Sequence, residues 1–144
     1  MILLGCFKNM DIWYTALFVK EPNNLVQLFP QKHEKVFAHH STIVFEPQSL
    51  NGIEIGKLWN IKILGRATDE NGDALLVENL KSKNKYPHIT LSCKKGVDPF
   101  YSNELLERAV KDGTIEYFKE PFFVETIEGY GDHEGKVIIN LNIS

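Results

Sequence analysis

Lys85-Tyr86-Pro87-His88-Ile89-Thr90-Leu91-Ser92 is the stretch on which the fold turns. It reads as a β-strand: successive side chains of a strand point to opposite faces, so His88 and Thr90 share one face while Ile89 and Leu91 share the other. An imidazole and a hydroxyl spaced in this way can reach two oxygens of one phosphate. A second copy lies upstream in Phe37-Ala38-His39-His40-Ser41-Thr42-Ile43-Val44-Phe45, with His40 and Thr42 on one face and Phe37, Ile43 and Phe45 expected on the opposite, apolar face. The two histidines are 48 positions apart in the chain. Both motifs sit inside apolar, β-branched runs of the kind that form central strands.

Working outward, Asp11 to Lys20 is aromatic and branched and predicts the first central strand, closed by Glu21-Pro22-Asn23-Asn24. An asparagine cap then fits a short helix with Leu25, Val26, Leu28 and Phe29 on its apolar side, and Pro30 stops it. Trp59 to Thr68 and Asp73 to Leu80 predict a hairpin around Glu70-Asn71-Gly72, a tight-turn sequence. After the second motif, Gly96-Val97-Asp98-Pro99 turns the chain. Ser102 or Asn103 is expected to cap a helix running through Lys111, with Leu105, Leu106, Ala109 and Val110 on the buried side. Pro121 to Glu128 and Lys136 to Ile143 predict two more strands, joined across a loop with three glycines. The rough duplication of strand, helix and motif predicts an α+β fold: a single domain over 1–144 with two lobes of antiparallel sheet, roughly 1–80 and 81–144, outer helices, and one His-x-Thr strand from each lobe at a shared cleft.

Composition narrows the function. The 144 residues are 43% hydrophobic and 24% charged, as in an ordinary globular domain. A net charge of −3 argues against a broad grip on duplex DNA, whose binding surfaces are basic. A small or single-stranded phosphate ligand remains compatible, and Lys81, Lys83, Lys85, Lys94 and Lys95 flank the second motif. Cys6 and Cys93 make no disulfide framework and no Cys/His spacing suggests zinc, so the expectation is a cytoplasmic protein with no metal and no cofactor. Met1 to Cys6 lacks the charged and apolar regions of a leader, and no run reaches the length of a membrane span.

Two histidines and two hydroxyls suit attack on a phosphodiester. One neutral imidazole activates the nucleophile and the other, protonated, donates to the leaving oxygen, and an ordinary histidine pKa near 6.5 allows both states near neutrality. Thr42 and Thr90 donate to the non-bridging oxygens as negative charge accumulates. With these residues the chain resembles the two-histidine (2H) phosphoesterase superfamily, marked by paired His-x-Thr/Ser motifs on central strands of a bilobal α+β fold. The run His88-Ile89-Thr90-Leu91, then Gly96, Pro99 and Ser102-Asn103-Glu104-Leu105-Leu106, is most similar to the cyclic phosphodiesterase domain of fungal-type tRNA ligases and its stand-alone relatives.

The resemblance implies hydrolysis of a 2′,3′-cyclic phosphate at an RNA end, or of a small cyclic nucleotide, without cofactor. His40, Thr42, His88 and Thr90 are then the catalytic residues. His39-His40-Ser41 offers a competing register, and His40 is preferred because Thr42 matches Thr90 in kind. Base selection calls for an aromatic platform, for which Tyr14 is the first candidate with Tyr86 and Trp59 behind it, and Lys85 is a candidate phosphate contact. His33 and His133 are read as surface residues. Alternatives are the same fold acting on cyclic dinucleotides or oligoadenylates, and a non-catalytic nucleotide- or RNA-binding module.

Overall fold

The computed structural model describes residues 11–140, so the leader reading of Met1 to Cys6 lies outside the described residues. In chain order the elements are β1 (Tyr14–Val19), α1 (Pro22–Leu28), β2 (Lys35–Val36), β3 (His40–Phe45), β4 (Leu58–Thr68), β5 (Gly72–Val77), β6 (His88–Cys93), α2 (Tyr101–Asp112), β7 (Glu116–Gly131) and β8 (Val137–Ile138). The strands form one sheet in the order β2-β6-β5-β4-β7-β1-β3, with β8 against β7, and every pairing is antiparallel. The class is α+β: among the described residues it is mostly antiparallel sheet with two helices. Strands from the two sequence halves interleave, since β7 lies between β4 and β1 and β6 pairs with β5. A cut near residue 80 therefore runs through the hydrogen-bonded sheet instead of between two sequential sheets.

The two ends of the sheet are joined by the chain itself. β2 and β3 stand at opposite ends of the strand order, yet only Phe37, Ala38 and His39 separate them. The Phe37 and Ala38 amides still donate to the Leu91 and Thr90 carbonyls of β6, at 2.8 Å each, whereas the His39 carbonyl accepts from Val19 of β1 at 2.9 Å. The handover occurs at Ala38, which takes a left-handed φ of 52°, uncommon for a side chain with a Cβ. With that handover β3 and β6 lie beside one another, and the Lys83 amide, in the loop before β6, donates to the Ile43 carbonyl at 2.8 Å.

Apolar burial explains why this arrangement holds. One core packs Leu17 and Val19 of β1, Ile43 of β3, Leu75 and Val77 of β5 and Ile89 and Leu91 of β6 against Leu25 and Phe29 from α1 and its end. The second, on the opposite face of β5, packs Ala74 and Leu76 against Leu105, Leu106 and Ala109 of α2. Both faces of β5 are thus covered, which is why all six of its residues are buried. Each buried leucine or isoleucine contributes about 1.5–3 kcal/mol of transfer free energy.

Local chemistry corrects two expected caps. α1 begins with Pro22 in its first turn and has no side-chain cap; Asn23 and Asn24 are inside the helix. Proline suits that place because its missing N–H has no partner there. α2 begins at Tyr101 without a side-chain cap, and Ser102 lies buried within its first turn. The β4–β5 hairpin turns where the sequence places it, with Asp69 Oδ1 accepting from the Asn71 and Gly72 amides at 2.8 and 2.9 Å. Tyr101 packs so closely over Gly72 that a Cβ there would stand 2.8 Å from its ring. Of the last expected pair of strands, β7 runs sixteen residues, and β8 covers Val137–Ile138 of the expected Lys136 to Ile143, of which 141–143 lie outside the described residues.

Candidate active site

A cleft of about 440 Å³ opens between β3, β6 and the turn leading into α2, and His40, Thr42, His88 and Thr90 all line it. Their convergence follows from strand geometry. On β3, His40 and Thr42 lie opposite Phe18 and Ala16 of β1; on β6, His88 and Thr90 lie opposite Leu76 and Ala74 of β5. Each motif strand then carries a β-bulge at the residue after the threonine. Ala16 pairs with Thr42 and Thr15 with Val44, leaving Ile43 as the extra residue, and Ala74 pairs with Thr90 and Asp73 with Ser92, leaving Leu91. A bulge adds one residue, bends the strand and resets which face the following side chains occupy.

That reset overturns one reading from strict alternation. Phe45, expected opposite the motif face with Ile43, lines the cleft, because the bulge returns it to the face of Thr42 while Ile43 and Val44 both pack on the core. Phe37 also lines the cleft, and the left-handed Ala38 is what breaks the alternation there. Ser41 points the other way: it is fully buried, and its hydroxyl accepts from Asn79 Nδ2 at 3.0 Å. The competing His39-Ser41 register therefore has no hydroxyl facing the cleft.

The two histidines are anchored through Nδ1. In His88, Nδ1 lies 2.7 Å from the Tyr86 carbonyl, which only accepts, so Nδ1 carries the hydrogen and Nε2 is left for a ligand. In His40, Nδ1 lies 2.9 Å from Nδ1 of His39, and one of the two donates to the other. Tyr14 stacks on the His40 ring at 4.6 Å with planes 25° apart. Gly131 opposite Tyr14 makes room for that stack, since a Cβ would stand 2.6 Å from the tyrosine ring. Burial lowers the pKa of both motif histidines. His40 falls to about 3, through burial first and then the charges of His39 and His88, and His88 falls through burial, opposed by its bond to the Tyr86 carbonyl. Both are neutral imidazoles near pH 7 in the free protein.

Thr90 is held by α2. Its hydroxyl donates to the Pro99 carbonyl at 3.3 Å and accepts from Ser102, whose Oγ is 2.7 Å away. Ser102 is thus a support for Thr90 where the sequence suggested a cap. Trp13, Phe45 and Phe100 rim the cleft at 38%, 46% and 62% exposure, which leaves ring faces available for stacking. Asn84, Asn103 and Asp98 supply its other polar walls. Sequence reading missed these residues because none belongs to a spacing motif. The short distance from His88 through Pro99 to Asn103 was the available signal.

Three sequence candidates stand elsewhere. Lys85 is directed to α2, where its ammonium is 3.7 Å from Glu107 and 5.5 Å from the Tyr86 ring centre, and it does not line the cleft. The Tyr86 ring packs on the α2 core, and only its carbonyl serves the site. Trp59 donates its indole N–H to buried Glu128 at 2.8 Å, beneath the Lys57 ammonium. All three fail for one reason: a neighbouring element offers each an internal partner. Of the remaining histidines, His33 donates from Nε2 to the Asp69 carbonyl at 2.8 Å, and His133 pairs with Asp11 beside Trp13.

A curled antiparallel sheet that brings two His-x-Thr strands to one cleft is the architecture of the two-histidine phosphoesterases. Within that class the chain belongs to the fungal tRNA ligase phosphodiesterase domain family, whose model matches residues 24–141 and so includes both motifs. Membership assigns the chain to a phosphodiesterase family. No curated protein matches it. Among the described residues no helix is long and apolar enough to cross a membrane.

Proposed function

We propose that this protein hydrolyses a 2′,3′-cyclic phosphate at an RNA end, with no metal ion, using His40 and His88 as the acid–base pair, with Thr42 donating to one non-bridging oxygen and Thr90 turning its hydroxyl hydrogen from the Pro99 carbonyl to donate to the other. The observation that carries the reading is that both His-x-Thr pairs line one cleft whose volume suits a nucleotide. His88, with Nδ1–H on the Tyr86 carbonyl, presents the Nε2 lone pair that a base needs. As it takes a proton from water, the water oxygen bonds to phosphorus, one ribose oxygen leaves, and a proton delivered from the His40 side neutralises it. The phosphate anion raises the pKa of both imidazoles when it binds, opposing the effect of burial. Trp13, Phe45 and Phe100 supply the aromatic surface on which the terminal base stacks.

Among the described residues no lysine or arginine lines the cleft, a composition that favours a single phosphodiester over ligands with several phosphates, such as cyclic dinucleotides. The experiment is to incubate the protein in EDTA with 2′,3′-cyclic mononucleotides, a cyclic-phosphate-ended oligonucleotide and cyclic dinucleotides, and to identify products. A nucleoside monophosphate, or an oligonucleotide ending in a monoester, is the expected product. Binding without product at any pH between 5 and 9 would leave only the non-catalytic module. Turnover that appears only on adding a divalent ion would defeat the metal-free mechanism.

A further inference from the structure

The mechanism above asks His40 to exchange a proton with the reacting oxygen, yet among the described residues no backbone carbonyl holds its ring as one holds His88. What faces its Nδ1 is another imidazole. Nδ1 of His39 lies 2.9 Å away, and the rings meet edge-on at 87°. Consecutive side chains of a regular strand point apart, so this meeting is not a product of sequence adjacency alone. The left-handed Ala38 precedes the pair, and Phe18 packs against both rings, edge-on to His39 at 5.4 Å and tilted to His40 at 5.7 Å between ring centres. His39 is exposed, whereas His40 lies in the cleft under Tyr14.

Resting on the proposed acid–base role of His40, we infer that His39 is its proton-relay residue: the two imidazoles share a proton across their facing Nδ1 atoms, so exposed His39 bears the positive charge while His40 serves the reacting oxygen. The balance closes without another reactant. The charged pair has His39 protonated at both nitrogens, with Nδ1–H donated to His40 Nδ1, and His40 carrying its hydrogen on Nε2. When His40 Nε2 gives its proton to the leaving ribose oxygen, the His39 Nδ1 proton crosses to His40 Nδ1. Both rings end neutral, with the hydrogen bond reversed. After product leaves, His88 releases its proton to solvent; solvent protonates His40 Nε2, and the Nδ1 proton crosses back to His39, which recharges the pair. An imidazole suits this role because its two nitrogens exchange donor and acceptor roles, which a carbonyl cannot do.

The relay also resolves an electrostatic conflict. A cation on His40 is disfavoured by burial and by the charges of His39 and His88, which hold its pKa near 3. His39, whose side chain still reaches solvent, is lowered by partial burial and carries no such like-charge cause. The other titratable groups facing the cleft are Tyr14, kept protonated by burial and the Asp132 charge, and Asp98, whose Oδ1 accepts from the Phe100 amide. Placing the charge on His39 keeps it near solvent while leaving the reactive proton on His40.

The test compares His39→Asn, which retains a hydrogen-bonding group beside His40 but cannot titrate, with His39→Phe, which retains neither capacity. The relay predicts that both lose about tenfold to a hundredfold in kcat on a 2′,3′-cyclic nucleotide near neutral pH, the lower end of what an acid or base supplies, with KM little changed. The pH-rate limb belonging to the pair moves to lower pH in both variants, and added imidazole restores part of the turnover of His39→Ala. Wild-type kcat and pH profile in His39→Asn would reduce His39 to an orienting contact and overturn the relay. Nitrogen-15 NMR of the imidazoles gives a readout independent of turnover. His39 and His40 must titrate as a coupled pair in the wild type, and the Nδ1 hydrogen of His40 must become fixed in His39→Asn; independent titrations would overturn the inference even if the enzyme turns over. If the wild type has no activity on cyclic phosphates while the NMR coupling is present, the functional reading fails and the proton-sharing pair stands.

Discussion

β3 and β6 carry the same motif and the same bulge one residue after it, yet the molecule holds them differently. β6 is interior, hydrogen-bonded to β5 on one side and to β2 and its continuation on the other, whereas β3 ends the strand order and pairs with β1 alone. The fixed strand presents a histidine tied to a backbone carbonyl and a threonine tied to Ser102 and Pro99. The end strand presents a histidine tied to a second histidine, and among the described residues the Thr42 hydroxyl makes no hydrogen bond. A shared motif therefore specifies which polar groups line the cleft, while position in the sheet decides how firmly each is held.

The largest expected effects come from removing the motif histidines. His40→Ala and His88→Ala should each lower turnover of a cyclic phosphate by about a hundredfold to ten-thousandfold, the scale for a positioned acid or base. Steady-state kinetics on the two variants check this, and a near-normal rate in either would remove that strand from the chemistry.

Next come the core residues beneath each motif. Ile89→Ala and Ile43→Ala should each cost about 2–5 kcal/mol of stability, read by urea unfolding. Ile89 should lie at the upper end, since it is fully buried in an interior strand, while Ile43 sits on an end strand with 3% exposure. The reverse order would break the contrast in rigidity.

The hydroxyls should show smaller losses. Thr42→Ala and Thr90→Ala should each lower turnover roughly a hundredfold if each donates to a developing oxyanion. Ser102→Ala separates the strands further: it removes one bond to Thr90, costing about 1 kcal/mol of stability and lowering turnover by a few fold. Equal sensitivity of Thr42 and Thr90 to that change would contradict the α2 support.

The last effect is on the pH dependence of folding. His40 has a folded-state pKa of about 3 against an ordinary 6.5, held down first by burial. A depressed pKa means that the unfolded chain takes up a proton which the folded chain refuses, so this stability is present above about pH 6.5 and is lost as pH falls toward 3. His88, also lowered, adds in the same direction. Unfolding free energies measured from pH 7 to 4 should fall, and His40→Gln should flatten the slope. An unchanged slope in that variant would show that His40 is not held neutral by the fold.

By itself the sequence determined most of the elements and the side chains that line the cleft in pairs. Alternating apolar residues identified β1, β3 and β6, Glu70-Asn71-Gly72 marked the hairpin, and two His-x-Thr spacings named the four polar side chains that line the cleft, because periodicity and turn chemistry are local properties written along the chain. Only the tertiary structure decided which partners those side chains have. Ala38 and the two bulges depend on strand pairing across the sheet, so they redirected Phe37 and Phe45 into the cleft against simple alternation. Glu107 drew Lys85 away, Glu128 drew Trp59 away and Thr90 took Ser102 from its expected cap, through contacts between residues 12 to 69 positions apart. Such competition between distant partners has no local signature, and it also placed His39 against His40, an encounter of neighbouring residues that a regular strand would have forbidden.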